Sequence, residues 1–529
     1  MKRRDLIGAS AALLAAPLAA PRLARAQAAK PLRFVPQADL AVLDPVWTPA
    51  YVTRHHAYMV FDTLYGQDEQ LRPVPQMLAG HQVAADGLRW TLTLRPGLKW
   101  HDGTPVLARD CVASIERWSK RDTYGRTLMA ATEELSAPDD KTILFRLKRP
   151  FPQLPAALAK TANNMAAMMP ERLARTDPFK QVTEMVGSGP YRFLADERVP
   201  GARVAYARFD GYVPREEGTP SGTAGPKRAS FERVEWLVMP EPSSAVSALQ
   251  AGEVDWYELP PPDLLPLLKR DRRIAVEVLD KSGYIGCMRM NHLQAPFNNP
   301  AIRRAVLSAV TQSDFMQAAA GTDPDLWGEG VGIFCPKTPM ATDAGLEALT
   351  SPRDLAAAKA AILAAGYKGE PVVVLGATDL PILKAAGDVT ADLMTRLGFT
   401  VDYQPTDWGS VVQRRVSKEA PAKGGWSVLS NFWGGLDQAT PATHALLWSN
   451  GENASYGWPD SPRIEELRGQ WLDAPDVAAQ QRIAADIQRQ AFQDVPYIPL
   501  GQYFYATSYR KDLTGVLPGF PVFWNVRRA

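Results

Sequence analysis

The stretch VVVLGATDLPILKAAGDVTADLMTRLGFTVDY, residues 372–403, changes its hydrophobic period twice. Val372 to Leu375 is an unbroken apolar run of strand length. Val389, Leu393 and Leu397 then recur every fourth residue, a helical spacing, until Gly398 stops the pattern. Phe399, Val401 and Tyr403 alternate, as a following strand does. Strand, helix and strand at this spacing predict a right-handed parallel crossover, and with it an α/β fold. The loop after the first strand, residues 376–381 with Thr378 and Asp379, falls at the carboxyl edge where open α/β sheets bind ligands.

The next strand of the same sheet is predicted in WSVLSNFWGGLDQATP, residues 426–441. Trp426 to Phe432 reads as a buried strand, which Gly434 and Gly435 end by allowing backbone angles closed to other residues. Around that turn stand Asn431, Phe432, Trp433 and Asp437, aromatic surface with polar handles of the kind a small-molecule pocket uses. A core strand with a tight turn explains the same residues, and the rest of the chain has to decide.

A chain of 529 residues exceeds one core and predicts two or more lobes. The first 26 residues read as an export leader: a basic head at Lys2-Arg3-Arg4, an apolar core from Leu6 to Ala20, and Ala24-Arg25-Ala26 as the cleavage site. Arg3-Arg4 resembles a twin-arginine signal, and the Sec route fits as well. No Cys lies near the cleavage point, so a freely soluble periplasmic protein is expected rather than a lipid-anchored one. The leader carries five basic residues against Asp5, which turns the formal +2 of the whole chain into about −2 for the mature protein. That balance gives no support for nucleic-acid or anionic-membrane binding. Cys111, Cys287 and Cys335 are too few and too scattered for a disulfide framework.

Further elements follow in order. Leu32 to Pro36 opens the fold as a strand, and Arg54-His55-His56 lies on a helix with Tyr58 and Phe61. Adjacent histidines point about 100° apart on a helix, so they make a poor metal pair, and no metal or cofactor is expected. Trp90 to Leu94 alternates as a half-buried strand, with Leu98 to Trp100 as the return strand of a hairpin. His101 beside Asp102 serves a Gly-Pro turn. Ser243 or Ser244 caps a helix that Gly252 ends, and Asn299 with Pro300 starts another. Tyr497 to Tyr509 reads as a strand pair or extended return.

Catalytic signatures are mostly missing: no Gly-x-Ser-x-Gly elbow, no His-Glu-x-x-His, no phosphate loop. Ser508 to Lys511 satisfies Ser-x-x-Lys, but on a predicted strand and without a Lys-Thr-Gly partner. An enzyme is not expected. A periplasmic hydrolase of the acyl-serine type, or a chaperone or signalling receptor on the same fold, stand as the alternatives.

The run Trp90-x-Leu92-x-Leu94-Arg95-x-Gly97-x-x-Trp100-His101-Asp102-Gly103-x-Pro105, with Asp110-x-Val112-x-Ser114 after it, resembles the signature of bacterial extracellular solute-binding proteins of family 5. These are dipeptide- and oligopeptide-type ABC importer receptors. The resemblance continues through Gly187 to Tyr191, Ala248 to Trp256, Pro296 to Pro300, Ala364 to Tyr367 and Val495 to Pro499. It implies a two-lobed, type II-like periplasmic binding protein, expected to be a monomer that closes over a solute and meets the membrane permease. The implied division is 27–63, 190–282 and 497–529 for lobe I, 64–189 for an extra subdomain, and 283–496 for lobe II.

The resemblance also implies that the pocket is lined near Val42, by the loop after the Val372 strand, and around Trp433. Peptide-binding members use an acid shortly after the aromatic-Gly loop, and here Leu436 takes that place, with Asp437 one position on. Residues 40–47, 372–382 and 426–441 hold the acids Asp44, Asp379 and Asp437 and no Lys or Arg. The expected ligand is a small peptide-like or other polar organic molecule. Aromatic stacking and neutral polar contacts would hold it, with at most one cationic group answered by Asp437 or Asp379.

Overall fold

The computed structural model describes residues 30–529, and the predicted leader lies outside the described residues. Two large sheets organise the chain. The first has seven strands, in the order Ile274–Glu277, Thr507–Arg510, Trp256–Tyr257, Leu32–Val35, Arg233–Leu237, Arg203–Arg208 and Tyr191–Phe193. Leu32–Val35 runs parallel to both neighbours. Phe34, Trp236, Trp256 and Phe523 pack on one another across this sheet, and all four are buried.

The second sheet has six strands, in the order Trp327–Gly328, Ile498–Tyr503, Tyr284–Met290, Val428–Gly434, Pro371–Ala377 and Thr400–Thr406. Pro371–Ala377 pairs in parallel with Thr400–Thr406 on one side and with Val428–Gly434 on the other. The helix Pro381–Arg396 joins the first two of these, so the crossover and the strand at Trp426 stand where the periodicity placed them. Gly398, at φ 88°, ends that helix in a backbone region that side chains disfavour. Asn299 caps the helix Pro300–Leu307 by accepting from the Ala301 N–H at 2.9 Å. The helix Pro242–Ala251 is capped by Glu241 rather than by Ser243 or Ser244.

Between residues 64 and 189 a separate four-stranded antiparallel sheet forms, in the order Leu78–Val83, Arg89–Leu94, Thr142–Leu147, Thr132–Ser136. The helix Ala108–Arg121 packs on it. The hairpin predicted from Leu98 to Trp100 does not form. Both edges of Arg89–Leu94 are taken by Leu78–Val83 and Thr142–Leu147, and Lys99 makes only a single bridge to Pro105.

The chain crosses from the first sheet to the second between Glu277 and Tyr284, and returns between Tyr503 and Thr507. Ile498–Tyr503 therefore pairs inside the second sheet, although everything from 497 onward was predicted in the first lobe. Its hydrogen bonds go to Tyr284–Met290, and only Thr507–Arg510 rejoins the first sheet. Cys111, Cys287 and Cys335 are free and buried, and burial pushes the Cys287 and Cys335 thiols up to about 12.

Candidate functional site

Val428–Gly434 ends in the turn Gly435–Gln438, and this turn brings Asp437 against the first residue of the helix Tyr51–Val60. The Tyr51 hydroxyl donates to Asp437 Oδ2 at 2.6 Å and accepts from the Gly434 N–H at 3.2 Å. A Cβ at 434 would stand 2.3 Å from the Tyr51 oxygen, so a side chain there would have to displace that hydroxyl. Burial raises the Asp437 carboxyl above the usual range, and the Tyr51 hydrogen bond, Lys160 and Arg54 oppose that. The helix Tyr51–Val60 and the turn after Val428–Gly434 thus meet through a phenol from one and a carboxylate from the other.

The remaining predicted residues divide. Val42 offers its carbonyl to the Thr53 hydroxyl at 2.7 Å, which ties its loop to the same helix. Asn431 donates to the Tyr456 hydroxyl at 2.9 Å, while its Oδ1 is buried without a partner. Phe432 packs edge-on against Tyr503 at 4.9 Å. Trp433 is half-buried, with its indole N–H enclosed and unpaired. Thr378 and Asp379 are exposed: Thr378 bonds to the Thr406 carbonyl, and Asp379 accepts from the Trp408 N–H at 2.8 Å. They tie together the loops at the ends of two parallel strands.

A cavity of about 600 Å³ lies at the junction of the sheets. Gln67, Thr161 and Thr223 line one side, Lys337, Thr338 and Leu436 the other, and Leu279 to Ser282 of the crossing segment pass along it. Of the eight predicted residues it is Leu436 that lines this cavity. A smaller chamber of about 50 Å³ shares Leu279, Asp280, Gly519 and Phe520 with it, and reaches Arg54, His55, Glu258, Tyr284 and Tyr505.

These chamber residues were not anticipated. Arg54 follows the Val42 loop by only a turn of helix, and its one signal was its place beside two histidines. Arg54 lies 4.7 Å from the Tyr51 ring centroid and 4.0 Å from that of Phe520. His55 and His56 turn to different partners: His56 Nδ1 meets the Tyr206 hydroxyl at 2.9 Å, and burial holds its imidazole down at about 3. His55 stacks on Phe520 at 5.5 Å, and burial with the adjacent Arg54 keeps it neutral. Among the described residues no group of three or more His, Cys, Asp or Glu could hold a metal ion.

Glu258 accepts from the Gln37 backbone N–H at 2.7 Å and side-chain amide at 2.9 Å. Burial nevertheless outweighs these bonds and the nearby Arg54, and pushes its carboxyl up to about 7. A carboxyl raised on folding adds stability that is full below about pH 4.5 and is lost as pH climbs through about 7, on the order of 3 kcal/mol for this shift. Glu258→Gln is therefore expected to flatten the pH dependence of stability across that window and to be more stable than the wild type at pH 8. Urea unfolding at pH 5 and pH 8 checks this; parallel pH curves for the two proteins would contradict it.

Comparison with known proteins agrees with this architecture. The family model for the bacterial extracellular solute-binding proteins, family 5, middle region, matches residues 72–455. A probable peptide ABC transporter periplasmic-binding protein of Sinorhizobium fredii is 38% identical over 536 residues, covering 100% of both chains. A glutathione-binding protein of Pectobacterium atrosepticum is 24% identical, over 97% of this chain and 96% of its own. Among solved structures, a binding protein of A. tumefaciens R10 in complex with agropinic acid aligns with a TM-score of 0.77 at 21% identity, over 94% of this chain and 99% of the other. A dipeptide-binding protein of Pseudoalteromonas sp. SM9913 in complex with Met-Leu aligns at 0.74 and 18% identity, over 94% and 100%. With a family model across most of its length and a full-length relative of this identity, the chain belongs to the bacterial extracellular solute-binding proteins of family 5.

Proposed function

We propose that this chain is the periplasmic substrate-binding component of an ABC importer, which captures a peptide or other small polar organic solute between its lobes and delivers it to the membrane permease. The observation that carries the reading is the cavity of about 600 Å³, walled by both lobes and by the segment that crosses between them. A solute placed there contacts both lobes only when they are together, so it binds the closed state better and shifts the population toward it. The lobes are taken as 31–63, 190–282 and 507–529 for the first, with 64–189 as its subdomain, and 283–503 for the second. The protein would act as a monomer, exported with its leader removed.

The hydrolase alternative loses its nucleophile. Ser508 sits in the strand Thr507–Arg510 with no exposure, and Lys511 is exposed beyond the end of that strand. A buried hydroxyl in a sheet ladder offers a substrate no approach.

Native mass spectrometry of the purified mature protein is expected to show a retained small solute. Trp433→Ala should weaken that solute by about 1 to 3 kcal/mol if the half-buried indole packs on it; an unchanged affinity would assign Trp433 to the core. A protein that retains and binds no small molecule, and captures protein partners instead, would favour a chaperone or signalling receptor.

A further inference from the structure

Neither of the two acids expected to answer a cationic group of the solute stands free to do so. Asp379 is exposed, lines neither the cavity nor the chamber, and holds the Trp408 N–H at 2.8 Å. Asp437 is 5% exposed, and its donors come from within the chain. The Tyr51 hydroxyl gives its single hydrogen to Asp437 Oδ2 at 2.6 Å, and its lone pairs accept from the Gly434 N–H at 3.2 Å. The Asn163 backbone N–H also reaches the carboxylate.

Charge works in the same direction. Lys160 and Arg54 are 6% and 7% exposed, and both act on the Asp437 carboxylate. An ammonium arriving there would meet two buried cations around an anion that is already hydrogen-bonded. Position agrees, since Leu436 lines the cavity of about 600 Å³, whereas Asp437 and Tyr51 line neither that cavity nor the chamber. The Tyr51 ring is packed in place, with Arg54 4.7 Å and the Tyr284 ring 5.8 Å from its centroid. The acids on the cavity wall have partners too: Asp68 pairs with Arg72 at 2.8 Å, Glu277 accepts from the Tyr509 hydroxyl at 2.9 Å, and Asp280 accepts from the Ser282 N–H at 2.9 Å. Glu69 shares the cavity with Lys281 and Lys337.

We propose that Tyr51 is a specificity-determining residue: its hydroxyl takes the place at Asp437 that a solute ammonium would occupy, so the receptor accepts solutes whose amino end is blocked or absent. This rests on the solute-receptor reading above, and it names the class as N-acylated peptides and amine-free polar molecules. An ammonium loses hydration on entering the cleft and gains no counter-charge at Asp437. An amide or a hydroxyl is far easier to bury.

The test uses the mature full-length protein and a tripeptide pool without Lys, Arg or His, with free amino ends, beside the same pool N-acetylated. Calorimetry is expected to show the wild type binding the acetylated pool at least as tightly as the free one. Tyr51→Phe removes only the hydroxyl and leaves Asp437 short of a donor. It should raise the ratio of free to acetylated affinity at least about 10-fold, the scale of one hydrogen bond to a charged group. Adding Asp437→Asn to Tyr51→Phe should return the ratio to that of the wild type. A general loosening of the protein cancels from this ratio, because both pools meet the same variant. Circular dichroism checks folding, and the wild-type comparison stands without any variant. A wild type that binds the free pool at least about 10-fold more tightly overturns the proposal, as does an unchanged ratio in folded Tyr51→Phe. If neither pool binds, the retained solute takes their place: it is expected to lack a primary ammonium, and one that carries it overturns the proposal while the receptor reading stands. A protein that binds no pool and retains no solute overturns the receptor reading itself.

Discussion

Asp44→Ala is expected to lower the unfolding free energy by about 3 to 5 kcal/mol, because it strands a buried arginine. Arg117 meets Asp44 through both terminal nitrogens, at 2.6 and 3.2 Å, and the two side chains are 2% and 0% exposed. Asp44 also accepts from the backbone N–H groups of Val46 and Val182, at 3.0 and 2.8 Å. Removing the carboxylate leaves a charge and two backbone donors unanswered in a dry site. Replacing Arg117 by Met in the same chain should recover much of the loss, since no charge is then left unpaired. Urea unfolding of the two variants measures both effects. A single variant within about 1 kcal/mol of the wild type would mean that water reaches the site. Because this pair anchors the loop that carries Val42, the single variant should also bind solute less tightly.

Gly435→Ala is expected to cost about 1 to 3 kcal/mol, and to disturb the cleft as well as the core. A Cβ at 435 would stand 1.9 Å from the Ser282 carbonyl oxygen and 2.7 Å from Cys335 Sγ. The first of these atoms is backbone, in the segment that crosses between the sheets, and it cannot turn aside. The Gly435 N–H donates to the Gly283 carbonyl at 2.8 Å, so the turn is pressed onto that crossing segment. Any relief must move the turn, and with it Leu436 on the cavity wall and Asp437 on Tyr51. Gly469→Ala is the control: Gly469 sits exposed in the helix Pro462–Leu472 with nothing within 4 Å of a new Cβ. It should gain about 0.5 to 1 kcal/mol from helix propensity. Equal effects at the two positions would show that the close approach at 435 relaxes without strain.

Much of the fold was legible in short windows. The crossover at residues 372–403 announces itself because strand and helix bury one face at different periods, and that difference is local. The strand before Gly434 and Gly435 was legible for the same reason. The error at Leu98 to Trp100 has the opposite origin. A hairpin reading assumes a free edge, and both edges of Arg89–Leu94 belong to strands that begin 11 residues before it and more than 45 after it. Ile498–Tyr503 was misplaced likewise, since its apolar pattern suits either sheet and only pairing with Tyr284–Met290 assigns it.

The candidate site was less legible. Asp44, Asp379 and Asp437 are all acids in stretches expected to line the pocket, and the sequence treats them alike. Tertiary structure separates them: Asp44 is bound to Arg117, Asp379 holds the Trp408 N–H at the surface, and Asp437 ties its turn to the helix Tyr51–Val60 through Tyr51. The absence of a base from those three stretches is a sequence fact, and it stands. What it could not disclose is the setting of Arg54, which packs on Phe520 at the far end of the chain and donates to the Thr161 carbonyl. The sequence by itself determined the α/β class, the receptor family and the aromatic turn, because periodicity and ordered motifs are written in neighbouring residues. Which charges are spent and which remain free was decided only by the tertiary structure, because an ion pair is formed by side chains that meet in space across 70 to several hundred residues of chain.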